Sequence, residues 1–142
     1  MLMSSGAFAA QESETFLTKC FQKDYTSSKN IKRVTFALYE NLAGDMFGAM
    51  EVQMNEKGTT AGRLTTTCLV DKATYTCTNE KDGGKLTFIE EEKAGTLKVE
   101  EPLKLKVENQ FTPGKSSHSN LPVAPGLKLA AAIPSACEKL VP

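Results

Sequence analysis

The sequence predicts a mostly β fold: an antiparallel meander of six or seven strands forming a small curled barrel, or alternatively a two-sheet sandwich, with short N- and C-terminal helices joined by a disulfide. Three observations lead there. Apolar and polar residues alternate at period two through most of the middle of the chain, the pattern of strands with one buried face. Short turn-forming stretches separate the alternating runs, and short connections favour consecutive hairpins over a Greek key. Four cysteines, Cys20, Cys68, Cys77 and Cys137, form an even set with no Cys-x-x-Cys pair, which reads as a disulfide framework rather than a zinc or redox centre. The chain of 142 residues can bury one core but not two.

The elements follow in order. Residues 1–10 are small and apolar and end in Ala7-Phe8-Ala9, which resembles the cleavage box of a secretory signal without its basic start. The expectation is a signal-peptide remnant over residues 1–10, a single β-rich domain over residues 11–142, and a periplasmic or secreted location. The competing reading is an alanine-rich terminus with no targeting role. Phe16, Leu17, Cys20 and Phe21 recur at helical spacing with Ser13 as N-cap, so residues 13–23 are expected to form a short amphipathic helix. Val34, Phe36 and Leu38 alternate with Arg33, Thr35 and Ala37; after a turn at residues 41–45, Met50, Val52 and Met54 alternate with Glu51 and Gln53, giving a hairpin.

The next hairpin fixes the cysteine pairing. With residues 71–74 as its loop, Val70 faces Tyr75 and Cys68 falls opposite Cys77, close enough to bridge; Cys20 is then left for Cys137. The chain-entropy relation credits the short loop with about 2.7 kcal/mol and the long one with about 4.9, both upper figures. Leu64, Thr66, Cys68, Val70, Tyr75 and Cys77 share one side, while Thr65, Thr67, Thr74, Thr76 and Thr78 share the other. The threonine side reads as a wet sheet face, with a match to a repeating lattice such as sugar or ice as the sharper alternative.

Further on, residues 82–84 form a turn, and Leu86 and Phe88 face Val99 and Leu97 across a loop at residues 91–94, with Lys85 opposite Glu100. Leu103, Leu105 and Val107 continue the apolar series, so one long strand bent at Pro102 is expected over residues 96–108. Residues 111–126 hold three prolines and two glycines without periodicity and read as a long exposed loop. Leu127, Leu129, Ala131 and Ile133 make a last strand, and Pro134 opens a terminal helical turn. In outline this arrangement is similar to lipocalin-like barrels, a resemblance of architecture with no shared motif.

Chemistry is sparse. Equal numbers of acidic and basic residues (17 each) argue against nucleic acid as a partner, and a single histidine argues against an imidazole-rich catalytic zinc site. No run approaches the length of a membrane span. Gly83-Gly84-Lys85 lacks the rest of a phosphate loop. Glu90, Glu91, Glu92, Glu100 and Glu101 could supply paired carboxylates for hydrolysis or a weak calcium site, but interleaved lysines make a solvated face the simpler reading. No catalytic residue, metal or cofactor is expected.

The leading expectation is a non-catalytic extracytoplasmic binding module that recognises a protein or cell-envelope component, with hydrolase inhibition as a specific form of it. Its recognition element would be the 111–126 loop, with Phe111, Lys115, His118, Asn120, Leu121 and Val123 as contact residues. The alternative is a lipocalin-like carrier of a small apolar ligand, its cavity lined by Phe36, Met46, Met50 and Met54. A carboxylate-based hydrolase comes third.

Overall fold

A computed structural model describes residues 14–25, 31–54, 59–79, 84–101, 103–109, 116–120 and 126–142. Ten strands run β1 (Thr15–Asp24), β2 (Ile31–Asn41), β3 (Met46–Met54), β4 (Thr59–Asp71), β5 (Thr74–Thr78), β6 (Lys85–Glu91), β7 (Ala94–Glu101), β8 (Lys104–Asn109), β9 (Ser116–Asn120) and β10 (Leu127–Ala131). All pairings are antiparallel. Eight of the strands close a ring in the order β1-β2-β3-β4-β5-β6-β7-β10 and back to β1, with β3 and β4 joined from Met46↔Cys68 to Gln53↔Ala61. The barrel is therefore an up-and-down meander, interrupted only where the β8–β9 hairpin is inserted between β7 and β10.

The expected long bent strand is two strands. β7 pairs with β6 and β10 and ends at Glu101, whereas β8 pairs with β4 and β9. Inward parity survives the break, because Leu97, Leu103 and Leu105 are all fully buried. β4 is long enough to take β8 along residues 59–63 and β5 along residues 67–71 on the same edge.

Residues 15–24 are a strand, which corrects the expected N-terminal helix. The misleading spacing has a physical source: a bulge between Leu17 and Lys19 inserts one extra residue against β2. It places Leu17 with Cys20 on the outer face, although an unbroken strand would set them on opposite faces, and the result mimics an i, i+3 stripe. A second correction concerns residues 116–120, expected within the loop. They form β9, with Lys106↔His118 and Lys104↔Asn120 in register. Five polar residues in a row carry no alternation, so an edge strand formed through its backbone leaves no trace in hydropathy.

Both expected disulfides are present, Cys68–Cys77 across directly opposed positions and Cys20–Cys137 joining the ends of the domain. Leu86↔Val99 and Phe88↔Leu97 pair as expected, but a register shift puts Lys85 opposite Glu101 rather than Glu100. At the C-terminus the helical turn is two short 3₁₀ segments, Pro134–Ala136 and Glu138–Leu140.

The interior is built around Phe88. Its ring lies 4.7 Å from Phe21, 5.0 Å from Phe36 and 6.3 Å from Tyr75, centroid to centroid. Eight strands leave a lumen that side chains can fill, and Leu38, Met50, Leu86, Leu97 and Leu129 fill it here. Gly95 on β7 makes room for the central ring, since a Cβ there would stand 2.0 Å from Phe88 Cζ.

A second, smaller cluster lies outside the barrel. The 3₁₀ segments cross the outer faces of β1, β2 and β3, where Ala37, Ala49 and Tyr39 are buried beneath Cys137 and Leu140. Alanine at residues 37 and 49 permits the close approach. The strap is held by the disulfide, by the Thr15 hydroxyl donating to the Pro142 carbonyl at 2.8 Å, and by Lys139 reaching buried Glu51 at 3.0 Å.

Two stability effects follow. Gly95→Ala is expected to cost about 1–3 kcal/mol in urea unfolding by overpacking against Phe88, partly recovered by adding Phe88→Leu. An unchanged midpoint would contradict the packing described. Replacing Cys20 and Cys137 by alanine should cost about 2–5 kcal/mol and raise amide exchange in β1 to β3, while the same change at Cys68 and Cys77 should leave β1 to β3 protected.

Candidate functional site

The barrel wall is thinnest between β1 and β10. Only Phe21↔Ala131 and Gln22↔Ala130 are in register there, because β10 ends at Ala131 and the chain turns out over the strap. Ala132 N–H donates to the Cys20 carbonyl at 2.8 Å, and the preceding residues 15–19 have β2 on one side and no further strand on the other among the described residues. What faces them is the β6–β7 turn, tied to the end of β10 by the Ala131 N–H bond to the Lys93 carbonyl at 3.0 Å. Lys93 adopts a φ of 59°, in the left-handed region that lets two residues reverse the chain.

Across this gap Lys19 donates to Glu90, and the Tyr75 hydroxyl donates to Glu90 Oε1 at 3.2 Å. Lys19 shares the inward face with Phe21, Glu90 shares it with Phe88, and Tyr75 shares it with Cys77. The three form a polar cap over an aromatic interior. Outside it opens a cleft of about 460 Å³ lined by apolar Leu17, Phe21 and Ala132 and by charged Lys19, Glu90 and Glu138. The cleft combines apolar surface with charges of both signs at its rim.

The residues picked from sequence are distributed differently. Phe36 and Met50 are fully buried inside the barrel, and Met46 packs at its margin; the Met54 side chain lies outside the described residues. Met46 does line a separate cleft of about 500 Å³ beside Leu69 and Val70. Phe111, Lys115, Leu121 and Val123 lie outside the described residues, while His118 and Asn120 occupy β9. The acidic run is split: Glu90 turns inward to Lys19 and Tyr75, Glu91 pairs with Lys128 at 3.2 Å, and Glu100 accepts from the Thr87 hydroxyl at 3.1 Å. Among the described residues no group of three or more His, Cys, Asp or Glu side chains could hold a metal ion.

Sequence reasoning missed the Lys19, Tyr75 and Glu90 cap. The signal was available for two of its members, since Glu90 keeps the parity of Leu86 and Phe88, and Tyr75 keeps that of Cys77. Lys19 was hidden by the bulge.

Burial is the leading cause that holds the Tyr25, Tyr39 and Tyr75 hydroxyls above the ordinary tyrosine value of 10.0, with Glu90 adding to it at Tyr75. The Lys19 ammonium sits above its ordinary 10.5, chiefly through its bond to Glu90 and against the opposing effect of burial. A raised folded-state value means that the folded chain keeps protons the unfolded chain releases. The stability that these groups contribute is therefore present in full below pH 10.0 and is lost as pH climbs through the raised values. Phenolate absorbance of the native protein is expected to lag behind that of the urea-unfolded chain. The urea midpoint should fall above pH 10.0, and fall less in Tyr75→Phe. A midpoint that stays level or rises would contradict this.

No family model matches the chain, and neither a curated protein nor a solved structure is significantly similar to it.

Proposed function

We propose that the protein is a non-catalytic extracytoplasmic binding module that recognises a protein or cell-envelope component, and that the seam cleft is part of the surface it presents. The observation that carries this reading is the contrast between lumen and wall. Inside, the residues available to line a ligand chamber are packed on one another around Phe88; outside, the wall opens into a cleft of about 460 Å³ with an apolar floor. That volume suits one or two side chains of a partner or a compact headgroup. Four cysteines paired without remainder support an oxidising compartment. No helix among the described residues is long and apolar enough to cross a membrane. In this reading the Pro- and Gly-rich segment at residues 111–126 is a second recognition element, and blocking a hydrolase is one form the recognition can take.

The carrier reading draws its support from topology, because eight strands in up-and-down order are what an apolar-ligand barrel uses. Phe36 and Met50 weigh against it, since both are spent on packing.

Site-specific photo-crosslinking in the host's own envelope separates these readings. A photoreactive side chain at Glu138, on the rim, is expected to capture a discrete partner, whereas one at exposed Lys98 on β7 should capture none. If deleting residues 114–124 abolishes capture while Lys19→Ala leaves it intact, recognition resides in the segment that contains β9 and not at the seam. Equal capture from both positions, with uptake of a fluorescent fatty acid by the purified protein, would replace the binding-module reading with the carrier.

A further inference from the structure

We propose that a groove on the outer face of β2 to β5 binds a neutral pyranose unit of a glycan. The row that builds it is set by strand register: Tyr39↔Phe47, Phe47↔Thr67 and Thr67↔Thr78 place two aromatics and two threonines side by side across four strands. The Tyr39 and Phe47 rings stack, with centroids 5.4 Å apart and planes inclined by 20°. Tyr39 is buried and Phe47 half-buried, so the stack is anchored on one side and open on the other. Thr65 and Asn79 complete a depression of about 270 Å³.

The chemistry of this lining selects the ligand class. Among the described residues its lining contains no charged side chain that would hold a phosphate, a carboxylate or an ammonium group. Hydroxyls and a carboxamide line one part, and each threonine hydroxyl can donate as well as accept, which matches a ligand whose own groups are hydroxyls. The carboxamide is held in place by Asn79 Nδ2 donating to the Thr65 carbonyl at 2.7 Å, while the Thr67 hydroxyl makes only a long 3.4 Å contact to the Thr78 carbonyl. Neighbouring strands set Thr67 and Thr78 about 5 Å apart, close to the spacing of equatorial hydroxyls on alternate ring carbons. The apolar C–H face of such a ring can lie on Phe47 and bury area there.

An extended lattice is a poorer fit than a single sugar ring. The threonine rows are broken by Leu69, which is 79% exposed, and by Lys85 and Lys98, so no regular array of hydroxyls runs the length of the face. The groove shares no residue with the seam cleft, and loss of seam binding leaves it untouched.

The test uses the purified disulfide-bonded protein and a panel of neutral hexasaccharides: cellohexaose, maltohexaose, xylohexaose, mannohexaose and hexa-N-acetylchitohexaose. Binding is followed by calorimetry and by amide shifts in β2 to β5. At least one is expected to bind with a dissociation constant on the order of 0.1–1 mM. Phe47→Ala should weaken it about tenfold, and Thr67→Val with Thr78→Val about threefold to tenfold. The double valine variant guards against loss of fold, because valine suits an exposed strand position as well as threonine does. Lys19→Ala should leave the constant unchanged. No binding of any member at about 10 mM, or binding indifferent to both sets of substitutions, overturns the proposal.

Discussion

A sheet that curls into a barrel has to close along some line, and in this chain that line joins the first strand to the last, where only two residue pairs are in register. Everything else at that side of the molecule compensates for so short a closure. The Cys20–Cys137 bridge ties β1 to the strap that follows β10, across a sequence separation of 117. Lys19 and Glu90 span the opening by charge. The same shortage of backbone pairing that makes the closure weak leaves the cleft, because a longer β10 would occupy the space beside residues 15–19. Framework and candidate site are thus two consequences of where β10 stops.

The strap adds a layer outside the barrel. Its contacts bury outward-facing Ala37, Ala49 and Tyr39, turning part of what would be a wet face into a second core. Glu51 shows the electrostatic cost and its offset. The carboxylate is buried, and Arg63 approaches Oε2 through two nitrogens at 2.9 and 3.0 Å while Lys139 stands 3.0 Å from Oε1. The Lys139 contact lacks hydrogen-bond geometry, so Oε1 is served by charge alone. Removing a carboxylate from water costs several kcal/mol unless it is paired, and here the pairing cation arrives on the strap itself. Docking of the C-terminus and burial of Glu51 are therefore one event.

The parts of this architecture that repeat were legible in the residues. Period-two alternation located the strands of both disulfide-independent hairpins, and in the second also the Leu86/Val99 and Phe88/Leu97 pairs, while the placing of Cys68 opposite Cys77 came from counting back from a turn. The parts that break a period were not. A single inserted residue at the β1 bulge gave Leu17 and Cys20 a common face and imitated a helix, which also concealed that Lys19 points inward. β9 has backbone pairing without apolar pattern. The polar cap over the lumen is a meeting of residues from β1, β5 and β6, and contacts of that range are set by closure, which no local window contains.

The filled lumen finally bears on where recognition can occur. Phe88, Phe21 and Phe36 occupy the centre, and Gly95 exists as the absence of a side chain that would displace one of those rings. An interior so packed is stiff, since rings in contact cannot move aside without opening a void. Stiffness is of little use to a carrier that must admit a guest, but it serves a surface that must hold its shape: the outer rows at Phe47 and Thr67 and the rim at Lys19 and Glu90 stand on strands whose inner faces are locked together. Side chains fixed in this way lose less freedom when a partner arrives. In the proposed reading, the packing that leaves little room for a guest inside the barrel is also what fixes the shape of its outer surface.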